Sequence, residues 1–192
     1  LKDEDRTIAD GFDLVTVLFA DIVGFTALSA RVRPDELVAM LNRVFSAFDE
    51  AAERHGIEKI KTIGDAYMAA AGLPQAQPEQ AEAMAAMALE MQGALKTLNV
   101  EMSTDLDIRI GIHSGPVVAG VIGKRKFIYD LWGDTVNVAS RMESHGEPGA
   151  IQVSGAVHDM LGERWRFEPR GEIQVKGKGP MATYFLLGRA QA

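Results

Sequence analysis

The chain has 192 residues, 20 basic and 27 acidic side chains, a formal net charge of -7, 47% hydrophobic content and no cysteine. This is ordinary globular composition, so collagenous, coiled-coil and wholly disordered readings are excluded. Without cysteine there is no disulfide framework, thiolate metal site or thiol nucleophile, and the acidic balance argues against a nucleic acid polymer as partner, although a local site can still be cationic or hold metal ions.

Residues 1–12 are polar and charged and are expected as a linker from an upstream module, with one domain over 13–192. Leu14 to Ala20 is an unbroken apolar run that reads as a strand buried on both faces, running straight into Asp21 and then Gly24. A helix is expected to begin near Phe25. Pro34 suits a first helical turn, and Leu37, Leu41, Val44, Phe45, Phe48 and Ala52 recur at helical spacing until Gly56. Ile57–Ile63 and Ala66–Ala71 read as two strands joined by a turn at Gly64-Asp65. Met84, Ala88, Met91, Leu95 and Leu98 mark a second amphipathic helix. Leu106–His113 and Pro116–Ile122 are expected as a hairpin around Ser114-Gly115. A short strand follows over Phe127–Trp132, then a helix N-capped by Asp134 and running to about Ser144. Strands are expected at Ala150–Val153 and, as a closing hairpin, within Phe167–Leu187. No apolar run reaches the roughly 18 residues of a membrane span. The order β-α-β-β-α-β suits an α+β fold with a ferredoxin-like βαββαβ core, helices on one face, and additional C-terminal strands and helices.

Three segments stand out chemically. Asp21 and Asp65 each end an apolar strand beside glycine, and a carboxylate in such a place must be hydrogen-bonded, paired or bound to a cation. A lone aspartate there most often caps a turn. Two of them on adjacent strands can meet at one sheet edge, where hard oxygen donors favour Mg²⁺ or Mn²⁺. Gly24 allows backbone N–H groups to approach a phosphate. In the second segment, Asn137 and Arg141 lie four residues apart and share a helical face, while Asp130 sits in a strand between aromatic residues. The third feature is basic: Lys124-Arg125-Lys126 and Lys176-Gly177-Lys178-Gly179 are either solvated turns or triphosphate ligands. The spacing around Gly115, Gly120 and Gly123 is not that of a P-loop, and the four histidines have no metal-ligand spacing.

Three runs in order, Phe19-Ala20-Asp21-Ile22-Val23-Gly24-Phe25-Thr26, Glu58 through Met68, and Asp130-Leu131-Trp132-Gly133-Asp134-Thr135-Val136-Asn137-Val138-Ala139-Ser140-Arg141, make the chain resemble the catalytic domain of class III adenylyl cyclases of the bacterial, homodimeric type. The likeness spans roughly Val15 to Leu187. It implies conversion of ATP to 3′,5′-cyclic AMP and pyrophosphate, with two Mg²⁺ or Mn²⁺ per active site held by Asp21, Asp65 and the Ile22 carbonyl. It assigns base recognition to Lys61 and Asp130, ribose positioning to Asn137, transition-state charge to Arg141, and triphosphate binding to Arg125, Lys176 and the backbone of Gly24, Phe25 and Thr26.

The resemblance further implies a head-to-tail homodimer with two shared sites, the metal aspartates and Arg125 from one subunit and Lys61, Asp130, Asn137, Arg141 and Lys176 from the other. A cytoplasmic catalytic domain is expected, with a regulatory or membrane-tethering segment upstream. The alternatives are a guanylyl or mixed-specificity cyclase, in which a different residue, typically Glu, stands where this chain has Lys61, or a non-catalytic dimerisation module, which would have lost some of these side chains.

Overall fold

The structure is a computed structural model that describes residues 8–122 and 128–191. Its elements in chain order are β1 (Ile8–Val23), α1 (Phe25–Ser29), α2 (Pro34–Arg54), β2 (Glu58–Ile63), β3 (Ala66–Ala71), α3 (Gln80–Met102), β4 (Asp107–Ile122), β5 (Ile128–Trp132), α4 (Asp134–Ser144), β6 (Ile151–Ser154), α5 (Gly155–Leu161), β7 (Trp165–Val175) and β8 (Gly179–Arg189). They build one mixed sheet in the order β2-β3-β1-β4-β6-β8-β7, with β5 paired to the far half of β4. Its first four strands have the ferredoxin-like arrangement expected from the sequence.

Strand alternation sorts the core into two layers. Leu18, Ala20 and Ile22 of β1 and Ile108, Ile110 and Ile112 of β4 face α2, α3 and α5, and pack against Val44, Phe48, Met84, Met91, Val157 and Leu161. Val15 and Val17 face the other way, with Met68, Ala70, Val117 and Leu131, and are covered by Ala139 of α4. The expected single helical face therefore holds for the helices of the βαββαβ core, while α4 covers the opposite face.

Two glycines make that second layer possible. A Cβ on Gly111 would lie 2.0 Å from the Glu143 backbone nitrogen, and one on Gly115 would lie 2.5 Å from Thr135 Oγ1. Four residues of strand span about 13 Å, and the eight residues of helix between Thr135 and Glu143 about 12 Å, so α4 lies antiparallel along β4 with a close contact at each end.

Four expectations change. No hairpin exists at Ser114-Gly115, because β4 runs through it as one 16-residue strand. Ser114 Oγ and Thr16 Oγ1 of the neighbouring strand are hydrogen-bonded at 2.8 Å, Gly115 is there to admit Thr135, and Pro116 falls where a bulge between Phe12 and Val15 interrupts the β1–β4 ladder, so its missing N–H leaves no gap in the pairing. Residues 8–12, expected as linker, pair with Val117–Val121 and belong to the sheet. Asp134 is the first residue of α4 rather than its cap; Gly133, at φ 130°, holds that place, and no side chain bonds the helix end. Helix α5 was not expected, being only seven residues long and capped by Ser154 at the end of β6.

Candidate active site

The two aspartates meet at one end of the sheet. Asp21 pairs across β1–β3 with Ala66, and the next residue, Ile22, donates its N–H to the Asp65 carbonyl at 3.2 Å. Gly64, at φ 58°, makes the β2–β3 turn that carries Asp65. Gly24, at φ 79°, turns the chain from β1 into α1, so the backbone of Gly24, Phe25 and Thr26 follows directly on Asp21.

A residue that sequence reasoning missed completes this cluster. Arg109 lies opposite Asp21 in the β1–β4 register. It donates from Nη2 to Asp21 Oδ2 at 3.3 Å and from Nε to Glu143 Oε1 of α4 at 2.8 Å. Burial, reinforced by the Asp65 and Glu143 carboxylates, raises the Asp21 carboxyl to about 6 despite Arg109. Arg109 thus pairs with two carboxylates, Asp21 and Glu143, while a third, Asp65, acts on Asp21 from close by. That surplus negative charge, carried on hard oxygen donors, fits divalent cations of the Mg²⁺ or Mn²⁺ kind. Among the described residues no group of three or more His, Cys, Asp or Glu side chains could by itself hold a metal ion, so a cation bound at Asp21 and Asp65 would draw its remaining oxygens from elsewhere.

Lys61 and Asp130 come from different strands and also meet, with Lys61 Nζ donating to Asp130 Oδ2 at 2.5 Å. A bulge makes this possible. Lys59 pairs with Ala69 and Lys61 with Met68, leaving Ile60 as the extra residue of β2. Without it, residues 59 and 61 would share a face. With it, Lys59 reaches Asp49 of α2 on one side at 2.8 Å while Lys61 turns to β5 on the other. The second oxygen of Asp130 accepts from the Leu131 N–H at 2.8 Å, which fixes the carboxylate.

On α4, Thr135, Val138, Ala139 and Met142 are buried, which leaves Asn137 and Arg141 on the outer face. They line an open pocket of about 280 Å³ together with Asp134, Ser140, Val175 and Lys176. Lys176 arrives on the β7–β8 turn, anchored by a small apolar cluster of Val175, Val138 and Met142. Beneath the start of α4, His113 is bonded to Ser154 Oγ at 2.6 Å; burial, with help from Lys178, lowers it to about 4, so it is neutral and structural.

The sequence-derived residues therefore fall into three groups within one chain: Asp21 and Asp65; Lys61 and Asp130; Asn137, Arg141 and Lys176. The pocket that holds the last group is lined by neither Asp21 nor Asp65. Arg125 lies outside the described residues; among the described residues Arg109 is the cation paired with Asp21. Arg109 left little signal in the sequence, because a single arginine in an alternating strand reads as an exposed position.

Among the described residues no helix is long and apolar enough to cross a membrane. The chain is 48% identical over its whole length to an adenylate cyclase of Mycobacterium tuberculosis, and it spans 44% of that relative's length. Among solved structures it is similar to the guanylate cyclase domain of RhGC from Catenaria anguillulae in complex with GTP, with a TM-score of 0.90 and 39% identity over 94% of this chain and 100% of that one. It is also similar to the adenylyl cyclase CyaB from P. aeruginosa, with a TM-score of 0.90 and 29% identity over 95% of this chain and 97% of that one. Residues 8–188 match the profile of the adenylate and guanylate cyclase catalytic domain. With the sheet order, the aspartate pair and the α4 pocket arranged as described, the chain belongs to the adenylate and guanylate cyclase catalytic domain family.

Proposed function

We propose that this chain cyclises ATP to 3′,5′-cyclic AMP and pyrophosphate, at two equivalent sites shared between two copies of the chain. The observation that carries the choice of ATP is the pairing of Lys61 with Asp130 through the Ile60 bulge. Lysine only donates and suits adenine N1; an ionised aspartate only accepts and suits the adenine N6 amino group. Guanine presents a donor and an acceptor in the reverse order, and each mismatched polar contact costs about 1–3 kcal/mol.

In the reaction, a bond forms between the ribose O3′ and the α-phosphorus. The bond from that phosphorus to the bridging oxygen breaks, pyrophosphate leaves, and the hydroxyl proton is released. Asp21 and Asp65, with the Ile22 carbonyl, would hold two divalent ions; when bound, these supply Lewis-acid stabilisation of the attacking and leaving oxygens. Asn137 orients the ribose. Arg141 meets charge developing on the α-phosphate, and Lys176 holds the phosphate chain from the same pocket. Arg125, which lies outside the described residues, keeps its assignment to the triphosphate, with the backbone of Gly24, Phe25 and Thr26 as further donors, while Arg109 adds positive charge beside the aspartates.

The partition of these groups within one chain supports sharing between copies. So does the surface around Asp130. In the β4–β5 register Val118 faces Trp132, Gly120 faces Asp130 and Ile122 faces Ile128. Val118, Trp132, Ile122 and Ile128 are all exposed, which gives an apolar border to a base-reading carboxylate. A second copy laid over this face would cover that border and bring its Asp21 and Asp65 to the first copy's Lys61, Asn137 and Arg141. The test is cyclic nucleotide formation from Mn²⁺-ATP and Mn²⁺-GTP side by side. cAMP is expected in excess, and equal or greater cGMP formation rejects the assignment of Lys61 and Asp130.

A further inference from the structure

We propose that Asp134 is a counter-ion that sequesters Lys178 and so limits how tightly the α4 pocket holds tri- and pyrophosphate. This rests on reading that pocket as the phosphate site. The pocket lining contains two cations, Arg141 and Lys176, and one carboxylate, Asp134. A bare carboxylate among groups meant for phosphate repels the ligand. Here it is neutralised, because Asp134 is ion-paired with Lys178.

The geometry makes Lys178 a reserve cation for the same ligand. Lys176 and Lys178 flank Gly177 in a turn closed by a Lys178 N–H to Val175 carbonyl bond of 2.9 Å. Gly177 and Gly179 have φ of 83° and 79°, values that side chains disfavour. Val175 is buried against Val138 and Met142, so the turn is fixed to α4 by apolar packing rather than by the ion pair. The pair itself is exposed on both sides, 41% for Lys178 and 56% for Asp134. Such a pair contributes little to stability, and a four-carbon side chain can swing to a better anion. Phosphate oxygens entering between Arg141 and Lys176 thus compete with Asp134 for Lys178. The competition weakens the hold on product as well as on substrate.

The test measures inhibition of cAMP formation by inorganic tripolyphosphate and by pyrophosphate in the homodimer. Asp134→Asn is expected to lower both inhibition constants by about 2–5-fold, in line with the loss of one exposed charge pair. Lys178→Met is expected to raise them by a similar factor, by leaving Asp134 bare. The double variant should return to within about twofold of the parent, on the same scale. Equal melting temperatures would show that all three fold. If both single variants raise the constants, the pair merely tethers the turn and the proposal is overturned. No shift in either single variant, or a double variant that matches Asp134→Asn, overturns it too. Failure of tripolyphosphate to inhibit even the parent refutes instead the phosphate reading of the pocket, a separable result.

Discussion

The aspartate end of the sheet and the α4 pocket are built by opposite means. Asp21 sits in the central strand, paired on both sides, its carboxyl held by Arg109 and its neighbour Ile22 bonded to Asp65. Asn137, Arg141 and Lys176 stand exposed on a helix face and a turn, held in place from below by Val138, Met142 and Val175. The first region is half-buried, negative and rigid; the second is open and cationic apart from its neutralised Asp134. Divalent ions need fixed oxygens, whereas a flexible triphosphate can be met by longer side chains. On the proposed reading neither region alone is a complete active site, since each carries the charge that the other lacks.

The severest way to break the comparison is to remove the rigid half. Asp65→Ala or Asp21→Ala should lower turnover of Mn²⁺-ATP by roughly 10³-fold or more, as expected when metal-borne stabilisation is lost, with the melting temperature of the metal-free protein unchanged or raised. Removing a cation from the open half should cost somewhat less. Arg141→Ala is expected to reduce kcat by about 10²–10³-fold with a small change in KM, and a loss confined to KM would show that Arg141 only binds ground-state phosphate.

Base choice should shift by less again. Lys61→Glu combined with replacement of Asp130 is expected to move the cAMP-to-cGMP ratio toward GTP by about 10–10²-fold, the worth of one or two hydrogen bonds. An unchanged ratio would mean that other contacts select the base.

These groups were legible to different degrees for physical reasons. A carboxylate at the end of the unbroken apolar run Leu14–Ala20 is costly unless it has a partner, so Asp21 announced itself, and Asp65 did so by its place beside Gly64 at the end of a strand. Arg109 did not, because its significance lies in the residue opposite it, and register is invisible to a local pattern. The Ile60 bulge that parts Lys59 from Lys61 was equally hidden. Ser114-Gly115-Pro116 carries every local mark of a turn, yet each residue answers a long-range demand: a hydrogen bond to Thr16, contact with Thr135, and a break in the ladder. Helix α5 was missed because seven residues hold too few periods to register.

The seam between the halves can be tested through stability. Gly111→Ala drives a methyl group into the Glu143 backbone. Overpacking of this kind costs about 1–3 kcal/mol, and it should lift the end of α4 that carries Arg141. Thermal melting checks the first effect and kcat the second.

The smallest expected effect concerns pH. Because folding raises the Asp21 carboxyl to about 6, its charged form is disfavoured in the metal-free fold. The penalty is absent below the ordinary carboxylate range and grows as pH rises through 6. Asp21→Asn should therefore raise the melting temperature at pH 8 in chelator by a few degrees, on the scale of about 2–4 °C per kcal/mol, and leave it unchanged at pH 4. In the unmodified chain, Mn²⁺ affinity should fall as pH drops below 6, since protonation removes the ligand.

The most direct measurement mixes the two dead variants. Asp65→Ala lacks only the metal half, and Arg141→Ala lacks only the α4 half. Hybrid dimers contain one site in which both halves are intact. Under conditions where subunits exchange, the mixture should recover cAMP formation toward about half the parent's rate per hybrid dimer, as one of two equivalent sites is restored. A mixture that forms hybrids and stays inactive would contradict the sharing of one site between two copies.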